Sequence, residues 1–76
     1  MHQEANTQNL TTLADPLALR AQADEHMALS KRYTRAYIDR DFSEHTQGQL
    51  MRLQNAHYEI AMQLRTVATA HEETNR

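Results

Sequence analysis

From residue 16 onward, apolar positions recur at the three-and-four spacing of a helix in two long stretches separated by one break. In the first stretch Arg20, Asp24, Glu25, Lys31, Arg32, Arg35 and Asp39 share one arc of the helical wheel, with the small Ala21 and Ala28 between them. Leu19, Ala23, Met27, Leu29, Tyr33, Ala36, Tyr37 and Ile38 occupy the other side. This is the pattern of a surface helix with one wide buried face. In the second stretch Leu50, Leu53, Ala56, Ile60, Ala61, Leu64, Val67 and Ala68 form the main stripe, opposite Arg52, Asn55, Glu59, Gln63 and Thr66. Met51, Tyr58 and Met62 form a second, narrower apolar line away from that stripe.

Local signals set the ends of these elements. Asp15 can cap a helix whose first position is Pro16, where the missing N–H costs nothing. The first helix is expected over about 16–40. The break "DRDFSEHTQGQ" offers three starts for the second: Asp41 with Glu44 or Thr46 with Gln49 as capping boxes, or Ser43 as a simple cap. The second helix is therefore placed at about 44–71, with 73–76 fraying. Residues 1–14 are polar and read as a flexible arm, although Leu10, Leu13 and Leu17, at i, i+3 and i+7, allow a short docked turn at its end. The expected fold is all-α: an antiparallel two-helix hairpin over 15–72, completing a helical bundle with another chain.

Composition supports this and adds the need for a partner. One Gly and one Pro in 76 residues leave too few turn residues for an all-β fold. A chain this short buries little surface alone, and with no cysteine it has no disulfide or thiolate metal site to compensate. Packing against another chain is the remaining remedy, either as a homo-oligomer, most simply a dimer, or with a different protein. The formal net charge of −2 points neither to a general nucleic-acid binder nor to an acidic tail. No apolar run approaches the roughly 18 residues of a membrane span, so no membrane role is expected and a cytoplasmic protein of bacterial or phage-like style is.

Three groups of residues carry candidate chemistry. His26 and His57 both fall on apolar faces, and in an antiparallel hairpin turning near residue 43 they come within about one turn of each other. Two histidines without a Glu-x-x-His spacing make a register-fixing polar pair or a pH-sensitive seam a better reading than a metal site, so no metal or cofactor is expected. Lys31, Arg32, Arg35 and Arg40, with Tyr33 and Tyr37 between them, have the composition of an RNA- or DNA-binding patch. The wheel turns both tyrosines into the apolar face, which removes the stacking platform and leaves nucleic acid as the lesser alternative. Met51, Tyr58 and Met62 have the flexible thioether and aromatic chemistry of a protein-binding surface. Enzymatic activity is not expected, because the carboxylates are scattered, Ser30 and Ser43 have no base and orienting group, and there is no Gly-rich phosphate loop.

In length, paired helices and short turn the chain resembles several groups of tiny helical-hairpin proteins. Among them are the co-chaperones of type III secretion needle subunits and plasmid copy-number RNA-binding hairpins. The resemblance is one of organisation and assigns no role to any residue. It agrees with a small interaction module, whether adaptor, chaperone-like protein or inhibitor, that works by covering apolar surface.

Overall fold

The computed structural model describes residues 15–74, so the expected arm over 1–14 and the last two residues lie outside the described residues. Two helices, α1 (Pro16–Ile38) and α2 (Gln47–Thr74), pack antiparallel along their length. At about 1.5 Å per residue they are roughly 35 and 42 Å long. The shortest extent of the molecule is 14 Å, one helix layer. Each broad side of the hairpin is therefore a surface.

The helix ends follow from capping chemistry. Asp15 accepts a hydrogen bond from the Leu17 amide at 3.0 Å, ahead of Pro16 at the first helical position. The other end of α1 comes two residues before the sequence expectation. Arg40 takes φ 54°, and the amides of Arg40 and Asp41 donate to the carbonyls of Tyr37 and Ala36 at 3.2 and 2.9 Å. These paired bonds close the helix by a Schellman turn, with arginine at the left-handed position that usually takes glycine. Of the three possible starts for α2, the chain uses Thr46. The Gln49 amide donates to Thr46 Oγ1 at 3.2 Å, and the Thr46 amide donates back to Gln49 Oε1 at 2.9 Å. Asp41 instead accepts from the amide and hydroxyl of Ser43, at 3.2 and 2.7 Å, and so shapes the loop. Helix α2 also continues past His71 to Thr74, so Glu73 and Thr74, expected to fray, are helical.

The seam between the helices is built from smaller residues than the apolar pattern suggests. Its buried members among the described residues are Leu19, Ala23 and Ser30 on α1 and Leu50, Ala61 and Ala68 on α2. Ser30 Oγ–H donates to the backbone carbonyl of Gln54 at 2.9 Å, which requires close approach of the two helices. Along α2 the buried and half-buried positions Leu50, Gln54, His57, Ala61, Leu64, Ala68 and His71 follow a three-four alternation, flanked by the half-buried Leu53, Arg65 and Glu72. Small residues on the line of closest approach push the larger aliphatic side chains to the flanks. Ile60 and Val67, expected in the seam, are 37 and 43 % exposed, and Ile38 on α1 also faces outward.

Candidate interaction surfaces

The flanks can be assigned from contacts that cross the seam. Arg20 Nε and Nη2 donate to the two carboxylate oxygens of Glu72 at 3.0 and 2.6 Å, and Nη2 also reaches Thr69 Oγ1 at 3.1 Å. Arg65 Nη2 pairs with Asp24 at 3.3 Å. The bond to Glu72 is the largest contribution holding the Arg20 pKa above the ordinary arginine value. All five residues therefore lie on one broad side. Met51 and Tyr58 precede Arg65 by two heptads and one, so they share that side, with Met62 at its edge. Met51, Tyr58 and Met62 are 46, 50 and 41 % exposed. This mixed face is apolar toward the turn and salt-bridged toward the chain ends.

The opposite face was not legible as a surface in the sequence. Leu53, Ile60 and Val67 each stand one residue before a seam position of α2, and Leu29 and Ala36 stand one before Ser30 and Tyr37 on α1. Ala36, His45 and Leu50 line one shallow depression on this side together with the charged Arg32, Asp39 and Glu44, and His45, Gln49, Arg52 and Leu53 line the next. Along α2 the stripe Gln49, Leu53, Ala56, Ile60, Gln63, Val67 and Ala70 contains no ionisable residue. The signal that could have found it is this lack of charge across six turns of helix.

The histidine pair sits in the seam between the two faces. His26 Nδ1 and His57 Nδ1 are 2.8 Å apart, with rings stacked at 5.1 Å between centroids. A hydrogen bond at that distance joins one protonated and one unprotonated Nδ1, so the two rings must hold their protons differently. Tyr33 stacks on His57 at 5.7 Å, and His45 meets Tyr33 edge-on at 5.8 Å. Both histidines are half-buried. The ladder ties the middle of α1 to α2 and to the loop.

The basic residues do not converge. Lys31, Arg32, Arg35 and Arg40 are all exposed, but Arg35 is paired with Asp39 at 3.0 Å, and Arg32 lines a depression with Asp39, Asp41 and Glu44. Tyr37 accepts a hydrogen bond from Gln47 Nε2 at 3.3 Å, and Tyr33 is engaged with histidines. The hydroxyls of Ser30 and Ser43 donate to Gln54 and Asp41. Among the described residues no three His, Asp or Glu side chains form a metal-binding group, and no helix is long and apolar enough to cross a membrane. No protein-family model, curated protein or solved structure gives a significant match to this chain.

Proposed function

We propose that this chain is a protein-interaction module, an adaptor, chaperone-like protein or inhibitor that works by covering apolar surface on a partner. The observation that carries the reading is a hairpin one layer thick with large apolar side chains exposed on both broad sides. Such surface is costly to leave in water and marks association sites on soluble domains. On the mixed face Met51, Tyr58 and Met62 supply the contact with a different protein. Met adapts to an irregular surface, and Tyr offers area at low entropy cost. The nearby ion pairs are satisfied within the hairpin, so they can rim such a contact without being desolvated.

The test compares the wild-type chain with a Tyr58→Glu, Met62→Glu variant as baits. Proteins retained by the first and lost by the second are then purified and remixed with the hairpin in light scattering. A defined complex that forms only with wild type, while both baits keep the same helical circular dichroism, supports the reading. Binding that survives both substitutions removes these residues from the contact. Retention of RNA or DNA at low salt, lost in a Lys31→Ala, Arg32→Ala variant, would replace the reading with a nucleic-acid one.

A further inference from the structure

We propose that the face carrying Leu53, Ile60 and Val67, uncharged along its α2 stripe, docks a second copy of this chain, antiparallel, about a two-fold axis crossing near Ala56. The inference rests on the reading of the hairpin as an association module and names one partner for it, on the side opposite Met51 and Tyr58.

A two-fold contact brings each residue against the copy's equivalent surface, so opposite charges must lie equidistant from the axis and like charges must avoid it. Glu25 and Arg32, on the α1 edge of this face, are seven residues apart and of opposite sign, with their midpoint at 28–29. On α2, Leu53 and Ile60 are also seven apart, with their midpoint at 56–57. The Ser30–Gln54 and His26–His57 hydrogen bonds bracket both midpoints, which therefore stand at about the same level of the hairpin.

An axis lying in the face at that level, perpendicular to the helices, satisfies every requirement at once. It sets Glu25 against Arg32 of the second copy, twice, and Leu53 against Ile60 of the second copy, twice. Ala56, exposed and small, falls at the crossing where the two α2 helices come nearest. An axis parallel to the helices would instead lay α1 over the uncharged stripe, leaving Glu25 and Arg32 without partners. On the mixed face Arg20, Asp24, Arg65 and Glu72 are instead engaged within the hairpin, in the Arg20–Glu72 and Asp24–Arg65 pairs.

The chain contains no cysteine, so single cysteines report the arrangement directly. In the full chain, Ala56→Cys should cross-link to a disulfide dimer under mild oxidation, and Asn55→Cys, on the other side of α2, should not. Light scattering of wild type should give twice the 8.8 kDa chain mass. Ile60→Glu should return it to one, while Tyr58→Glu leaves it unchanged. Glu25→Arg or Arg32→Glu alone should weaken the dimer at least several-fold at low salt, and the double swap, which rebuilds both pairs, should restore it. The charge swaps sit on solvent-exposed positions and so test the axis even if Ile60→Glu fails to fold. A wild-type monomer at all concentrations overturns self-association and leaves the use of Met51, Tyr58 and Met62 for another protein untouched. Cross-linking through Asn55 instead, dissociation by Tyr58→Glu, or single swaps without effect would overturn the face or the axis.

Discussion

At the scale of single residues, short polar side chains make specific contacts that hold this hairpin. Ser30 uses its hydroxyl to bind one helix to the backbone of the other, and Asp41 uses its carboxylate to hold the loop. Asp41 has a pKa below the ordinary carboxylate value, first because the Ser43 hydroxyl donates to it and then because the Ser43 amide does, against a smaller opposing effect of burial. A folded pKa below the unfolded one means that the stabilisation is complete above the unfolded value of about 4 and disappears as pH falls through the folded value. Ser43→Ala should therefore raise the Asp41 titration midpoint, followed by carbonyl NMR, toward that of an ordinary aspartate. An unchanged midpoint would show that the hydroxyl is not the cause.

At the scale of elements, the two helices were readable because their ends carry chemistry that works locally. Asp15 with Pro16, and Thr46 with Gln49, satisfy amides within three residues, so no tertiary information is needed to place them. Choosing Thr46 over Asp41 was not possible from spacing alone, because both have the capping-box pattern and the winner depends on where the chain turns. Nor was the end of α1 legible, since Arg40 gives no sign of the left-handed conformation that stops the helix. That conformation is strained for any residue with a Cβ. Arg40→Gly should stabilise the protein by about 1 kcal/mol in urea denaturation, by the usual preference at this position. A loss of stability would mean that the arginine side chain contributes something that its backbone strain conceals.

At the scale of the whole molecule, the hairpin was legible and its lateral surfaces were not. A hydropathy wheel ranks Ile60 and Val67 above Ala61 and Ser30, and so assigns the larger residues to the core. Packing reverses that order, because small side chains occupy the line of closest approach and Ile60 and Val67 are left outside it. Met51, Tyr58 and Met62 stood out because they depart from the main stripe, whereas Leu53, Ile60 and Val67 were hidden by belonging to it. The inward positions could have been recovered from the three-four alternation through Gln54, His57 and His71, polar residues that a hydrophobic count discards.

The Arg20–Glu72 clamp also bears on the time course of folding. The bonds across the seam join residues ever farther apart in sequence as they leave the turn: 10 for Gln47 with Tyr37, 24 for Ser30 with Gln54, 31 for the histidines and 52 for the clamp. Closing a longer loop costs more chain entropy before any contact returns it, so the hairpin should zip from the Arg40–Thr46 end and engage the clamp last. An interaction absent from the transition state changes the rate of unfolding and leaves the rate of folding alone. Arg20→Gln should therefore raise the unfolding rate by a small factor in stopped-flow chevrons at fixed protein concentration, as expected for a solvent-accessible ion pair. Its folding arm should overlay wild type, making the clamp a latch on the lifetime of the closed hairpin.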